Sequence, residues 1–229
     1  MLEMTSSLKH LGIILDGNRR FAKKNKLNPL TGHEHGVKVV WDFFEWAKEL
    51  GIKEVTMYAF STENFKRSKI EVNYLLKLFF TEFDKLLASG RLENDKIKVN
   101  FVGRLNLFDK KLQNKMKEMM EQTKNYKGIT ANFCMAYGGR AEIVDSVNNL
   151  IKKGVKKVDE NMISKNLSLQ SSPDLIIRTS EQRLSNFLLW QCAYSEIMFL
   201  PKMLWPEFTK KDLIKCIGNF NSRQRRFGK

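Results

Sequence analysis

Asp16 directly follows the short apolar run 11–15, and Arg19 and Arg20 follow it after the pair Gly17-Asn18. A carboxylate beside two guanidinium groups suits a magnesium-bound phosphate. The hard cation takes carboxylate oxygen, and the planar forks take phosphate oxygens. An apolar run of this length fits a buried strand, and Gly17 fits a tight turn at its end. Open α/β sheets hold their ligands at such strand ends. The same residues also fit a strand followed by a solvated, charged turn. This stretch alone leaves both readings open.

The elements around it favour a site. Residues 54–60, 97–102, 129–136 and 174–179 are strand-like, and each is followed by polar residues. The first is followed by Ser61, Thr62, Glu63, Asn64, Phe65 and Arg67, and the next two by Arg104 and Arg140; the last carries Arg178 near its end and is followed by Glu181, Arg183, Ser185 and Asn186. Between the strands lie helical patterns. Val37, Val40, Trp41, Phe44 and Ala47 are spaced for a helix ending before Gly51. Ser68 and Glu71 have capping-box spacing, predicting a helix to about residue 88. Its apolar side, from Val72 to Leu87, fits either core or the wall of a cavity for a long apolar ligand. Further helices are expected over about 110–120, from 140 to 152, from Asp159, over the apolar segment 187–190 and from about Thr209. Glu196 opens a last short strand, 197–200.

Strands alternating with helices predict an α/β fold: a mainly parallel central sheet of about six strands flanked by helices, with right-handed crossovers. In a parallel sheet the polar clusters share one edge. Asp16, Arg19, Arg20, Ser61, Asn64, Arg67, Arg104, Arg140, Arg178 and Arg183 therefore converge on one rim. Many arginines around few carboxylates make a polyphosphate-shaped site, for a diphosphate or a nucleotide.

Composition narrows the classes. A chain of 229 residues with 42% apolar content buries a substantial core. With 13 glycines, 4 prolines and no repeat or linker, residues 1–229 read as one domain. No apolar run approaches the roughly 18 residues that span a bilayer, and the first residues lack a signal-peptide core. Three separated cysteines without a C-x-x-C pair argue against zinc or a disulfide scaffold and for a cytoplasmic setting. A net charge of +15 implies an anionic partner: nucleic acid, an anionic membrane or a phosphorylated metabolite. Part of that charge lies in the basic stretch 210–229, which also fits plain solubility.

Several sites are excluded. Neither G-x-G-x-x-G nor a P-loop occurs. Asn18 stands where an aspartyl-nucleophile phosphatase carries a second aspartate. There is no D-D-x-x-D pair, and His10, His33 and His35 are badly spaced for a metal cluster. His33 after Gly32 reads by pattern as a surface or capping residue.

Taken together the motifs resemble those of the cis-prenyltransferases, most of all the bacterial undecaprenyl diphosphate synthases. The resemblance rests on D-G-N-x-R-x-A at 16–22, Gly32-His33, Y-A-F-S-T-E-N-F at 58–65 and Y-G-G-R at 137–140. It continues in D-L-I-I-R-T at 174–179, R-L-S-N-F-L-L-W-Q at 183–191, L-W-P-E-F at 204–208 and R-R-F-G at 225–228. It implies repeated condensation of isopentenyl diphosphate onto farnesyl diphosphate with cis geometry. The product would be undecaprenyl diphosphate, precursor of the lipid carrier for cell-wall polysaccharide. It also implies Mg²⁺, a homodimer, an apolar tunnel beside the sheet, no nucleic-acid partner, and delivery of product to the inner face of the membrane.

By matching position, Asp16 would bind Mg²⁺ and assist departure of the allylic diphosphate, with Glu196 as a second metal position. Gly17, Asn18, Arg19, Arg20, Phe21 and His33 would surround that diphosphate. Ser61, Thr62, Glu63, Phe65 and Arg67 would lie by the reacting ends. Arg178, Arg183, Leu184 and Ser185 would hold isopentenyl diphosphate, with the Arg226–Gly228 ending reaching that site across the dimer. Asn64 matches the family's proton acceptor. A neutral amide is a poor base, however, and more readily orients the diphosphate or a water.

The chain departs from the family pattern at four places. Pro29 replaces a usual arginine, Phe21 and Phe65 replace tryptophan, Arg19 replaces glycine, and a glycine before Glu181 is missing. The rival reading is a basic nucleic-acid or anionic-membrane binder without catalysis. It accounts for the charge but not for Asp16, Asn64 and Glu196, whose oxygens repel phosphate unless a metal intervenes.

Overall fold

The computed structural model describes residues 8–223. Six strands form one all-parallel sheet in the order β3-β4-β2-β1-β5-β6. They are β1 His10–Ile14, β2 Glu54–Ser61, β3 Lys98–Val102, β4 Thr130–Tyr137, β5 Leu175–Thr179 and β6 Glu196–Leu200. Eight helices accompany them among the described residues: α1 Asn18–Lys24, α2 Thr31–Glu49, α3 Lys69–Ala88, α4 Arg91–Asn94, α5 Lys110–Thr123, α6 Gly139–Lys152, α7 Glu160–Asn166 and α8 Lys210–Asn221.

The period-two alternation of each strand divides two cores. Leu11, Ile13, Val55, Met57, Val99, Phe101, Ala131 and Phe133 face one way and pack with Phe43, Phe44, Phe83, Met116 and Phe220. Ile14, Val102, Cys134 and Ile176 face the other way, with Phe187 and Leu188.

Two helix starts have visible causes. Ser68 caps α3, its side chain accepting the Glu71 N–H at 3.2 Å. Thr209 and Asp212 form a reciprocal capping box at the head of α8. Helix α1, absent from the sequence expectation because 23–26 reads as a basic loop, follows from a close approach. A Cβ on Gly32 would lie 2.1 Å from the Asn18 carbonyl oxygen, and one on Gly36 would lie 2.4 Å from Asn18 Oδ1. These two glycines let α1 press against α2.

The expected helix over 187–190 is not formed. Ser185, Asn186 and Leu188 have positive φ, and residues 185–194 run as successive turns between β5 and β6. The left-handed region is costly for Ser185 and above all for Leu188, is tolerated by Asn186, and ends any helical run.

Candidate active site

Order in the sheet decides what meets at the rim. β2, β1 and β5 are neighbours, so the residues after them converge on a pocket of about 880 Å³. It is lined by Asp16, Gly17, Asn18, Arg19, Arg20, His33, Ser61, Glu63, Asn64, Arg67, Arg178, Arg183 and Ser185, with Tyr58, Glu181 and Asn186. Gly17 turns the chain out of β1 at φ 109°, where a Cβ would meet Ser180 Oγ at 2.3 Å.

Asp16 is held from several sides. Its Oδ2 accepts Arg178 Nη2 at 2.8 Å, and its Oδ1 accepts the Gly17 N–H at 2.7 Å and faces Arg20 Nη2 at 3.2 Å. Its backbone N–H donates to Thr179 Oγ1, and its carbonyl accepts the Trp205 N–H at 3.0 Å. Arg178 is 3% exposed. It also donates to the Arg183 carbonyl and, at 2.6 Å, to Ser185 Oγ, and so shapes the turn that carries both residues. Arg20 reaches the Ser180 carbonyl at 2.9 Å and Glu181 at 3.0 Å, while Glu181 also pairs with Arg183 at 2.8 Å.

A second knot lies on the other side of the pocket. Glu71 pairs with Arg67 at 2.9 Å and Arg19 at 3.4 Å, and its Oε1 lies 3.7 Å from His33 Nε2. Burial, reinforced by the Arg67 charge, pushes the His33 pKa down to about 4, so its imidazole is neutral. His33 Nε2 is buried and, among the described residues, has no hydrogen-bond partner. Sequence reasoning used Glu71 only as a capping residue; its position four after Arg67 on the way into a helix was the available signal. It also passed over Tyr58 as a single residue, whose hydroxyl donates to the Tyr137 and Ser185 carbonyls.

Other expectations are corrected. Arg104 is turned away and held by Asp145 through two 2.9 Å bonds. Arg140 does not line the pocket either; its backbone N–H donates to Asn186 Oδ1 at 2.9 Å. Lys24, near the departure at Pro29, pairs with Glu207. Phe21 packs against His35, Phe65 packs on Phe60 and Phe108, Leu184 joins the second core, and Thr62 bonds Glu63; none of the four lines the pocket. Asn64 Oδ1 accepts the Ser61 N–H at 3.1 Å, which fixes the orientation of an amide that is in any case a poor base.

Glu196 is the largest displacement. It is level with Leu175 and Leu11 at the start of the strands, and it is ion-paired to Arg223. Five residues along a strand separate that level from Asp16, about 16 Å. Within one chain the two carboxylates cannot share an ion. Residues 225–228, the expected cross-dimer ending, lie outside the described residues.

Behind the polar pocket lies an apolar cavity of about 90 Å³ between α2, α3 and the sheet. The two spaces share Leu15, Asn18, His33, Tyr58, Ala59 and Leu75. A charged head thus meets an apolar bore, the shape of a site for an amphiphilic diphosphate.

A family model described as putative undecaprenyl diphosphate synthase matches residues 14–228. The chain belongs to that family. An isoprenyl transferase of Fusobacterium nucleatum is 46% identical over 96% of this chain and 95% of its own length. A tritrans,polycis-undecaprenyl-diphosphate synthase of Pyrococcus abyssi, named as geranylgeranyl-diphosphate specific, is 44% identical over 96% of this chain and 87% of its own. Among solved structures, lavandulyl diphosphate synthase from Lavandula x intermedia, in complex with dimethylallyl diphosphate, superposes with a TM-score of 0.91. It is 31% identical, over 97% of this chain and 99% of that one. A probable undecaprenyl diphosphate synthase from Campylobacter jejuni superposes with a TM-score of 0.84 at 33% identity, with the same coverage. The α/β fold with its six-stranded parallel sheet is that of the family.

Proposed function

We propose that the chain condenses isopentenyl diphosphate repeatedly onto an allylic diphosphate, with farnesyl diphosphate as primer, to give a long cis-polyprenyl diphosphate. The observation that carries this is the junction of an arginine-lined pocket with an apolar cavity. An amphiphile with a diphosphate head and a hydrocarbon tail fits both halves at once.

Mg²⁺ fits the site through Asp16 alone. That carboxylate opens into the pocket, and Mg²⁺ is usually held by one or two carboxylates together with substrate phosphates and water. When bound, the ion supplies counter-charge to the departing diphosphate. Arg20, Arg19 and Arg67 hold the allylic diphosphate, and Gly17 and Asn18 close over it. Arg178, Arg183 and Ser185 hold isopentenyl diphosphate. Donors fixed before the reaction stabilise charge as the allylic C–O bond breaks. Asn64, with its oxygen engaged, orients substrate rather than accepting the proton.

Glu196 takes part in metal binding only if a second chain brings it to another rim, so its metal role belongs with the homodimer. The product serves as lipid-carrier precursor and leaves towards the membrane; no helix among the described residues is long and apolar enough to cross one.

The test is incubation with farnesyl diphosphate, labelled isopentenyl diphosphate, Mg²⁺ and detergent, with geranylgeranyl diphosphate as a competing primer. Label should enter extractable long-chain lipid and stop doing so with EDTA. Absence of lipid product with both primers overturns the reading; preference for the second primer corrects the primer alone.

A further inference from the structure

Helices α2 and α3 flank the apolar cavity and are tied together at two levels. At the mouth His33 of α2 faces Glu71 of α3 at 3.7 Å, and Tyr74 of α3 hydrogen-bonds Glu34 of α2. Eight residues further along α2, about 12 Å, Trp41 Nε1 donates to Glu82 Oε2 of α3 at 3.4 Å. Between these levels the lining is apolar: Val37, Val40, Leu75, Leu78 and Phe79.

Glu82 is an odd residue for such a wall. Its carboxylate is held by Trp41 and by Lys85 at 2.8 Å. Trp41 lines the cavity yet is only half-buried. The Arg91 guanidinium, which is not among the lining groups, lies 5.9 Å from its ring centroid and donates to its carbonyl at 3.2 Å. Trp41 therefore stands between cavity and solvent, braced from outside.

On the sheet side the bore is blocked differently. Phe83, Phe101 and Phe133 are in mutual ring contact at 5.0 to 6.2 Å inside the main core. A cavity of about 90 Å³ is smaller than the roughly 150 Å³ that accommodates one benzene. A hydrocarbon chain that lengthens by five carbons per turnover must part the walls. Displacing the half-exposed Trp41 disturbs less packing than displacing three core phenylalanines.

We infer that Trp41 and Glu82 form a latch across α2 and α3 that the growing chain must open, and that the strength of the latch sets product length. A chain arriving there must break the indole–carboxylate bond and lie against a carboxylate, which loses water without gaining a partner. Elongation slows at that length and release overtakes it. This rests on the polyprenyl-diphosphate reading above.

The experiment uses the full chain at fixed primer, isopentenyl diphosphate and detergent concentrations, and reads the distribution of dephosphorylated products by reversed-phase chromatography. Trp41→Ala removes the latch, and its distribution should move to longer chains by at least one isoprene unit. Glu82→Gln keeps the volume and deletes the charge, while Trp41→Phe keeps an aromatic ring, deletes the N–H donor and removes less bulk than the alanine; each should give a smaller shift in the same direction. An unchanged or shortened distribution in Trp41→Ala overturns the latch. Should that variant not fold, unchanged distributions in both of the others overturn it equally. A wild-type chain that makes no lipid product instead overturns the enzymatic reading, and the latch falls with it.

Discussion

The strand-end pocket and the cavity behind it are held in opposite ways. In the pocket, charge is held by charge: Asp16, Glu71 and Glu181 between them engage Arg19, Arg20, Arg67, Arg178 and Arg183. In the cavity, shape is held by rings: Phe79, Phe83, Phe101 and Phe133 touch one another in series. The difference teaches which parts can exchange partners. Exposed ion pairs contribute little each, so Arg19, Arg20 and Arg183 can leave a carboxylate for a diphosphate at small cost. Arg178 is buried, and its bonds to Asp16 and Ser185 fix the shape of the site. Aromatic packing has no substitute partner, so the cavity yields only where a wall is half-exposed.

The sharpest break of this contrast is Asp16→Ala. It removes the carboxylate proposed to hold the metal and strips buried Arg178 of its ion pair. Turnover should fall about a thousandfold, the scale of losing a principal electrostatic stabiliser in a closed site. Mg²⁺-dependent kinetics checks this, with circular dichroism showing that the fold survives. Near-normal activity would take Asp16 out of the chemistry.

The cavity side responds in stability. Phe83→Ala should cost about 3–5 kcal/mol in urea unfolding, as large-to-small changes in packed cores do. A loss below about 1 kcal/mol would mean that the ring cluster is loosely packed, because well-filled sites do not relax so completely.

His33 lines both spaces, and its pH dependence tests how dry their junction is. Its folded pKa is about 4 against an unfolded value near 6.5. Between these values the unfolded chain binds more protons, so stability falls as pH drops from 6.5 to 4 and the effect is absent above that window. The wild type should lose about 3 kcal/mol over that range relative to His33→Gln. Parallel unfolding curves at pH 7.5 and 4.5 measure the difference. Equal losses in the two proteins would place His33 in water rather than in a dry junction.

Much of the pocket was legible in the sequence because its residues follow strands directly. Short apolar, strand-like runs located all six strands, and the residues after parallel strands had to lie at the same edge. Strand order was not legible. Glu196 shows that placing a residue needs its end of the strand as well as its motif: it opens β6, whereas Asp16 follows β1. The turns at 185–194 read as helix because Phe187, Leu188, Leu189 and Trp190 are apolar. Their backbone is instead drawn around the Arg178 guanidinium and Asn186, and periodicity carries no trace of such a constraint. Glu71 stayed hidden because a capping position explained it locally, while its side chain serves partners on α1 and α2.

The smallest expected effect belongs to Arg104, and it isolates strand order as the cause of the pocket's membership. Arg104 stands just past the end of β3 and Arg178 within the end of β5, so the sequence places both at the same kind of strand end. In the sheet, however, β3 is the edge strand, three positions from β1, about 14 Å away. Asp145 accepts from Arg104 Nε and Nη2 there, and both partners are more than two-fifths exposed. Arg104→Ala should leave kcat/KM within about twofold and change stability by less than about 1 kcal/mol, as for a surface pair. A tenfold fall in kcat/KM would mean that the edge strand contributes to diphosphate binding, and that position in the sheet does not decide which arginines the pocket uses.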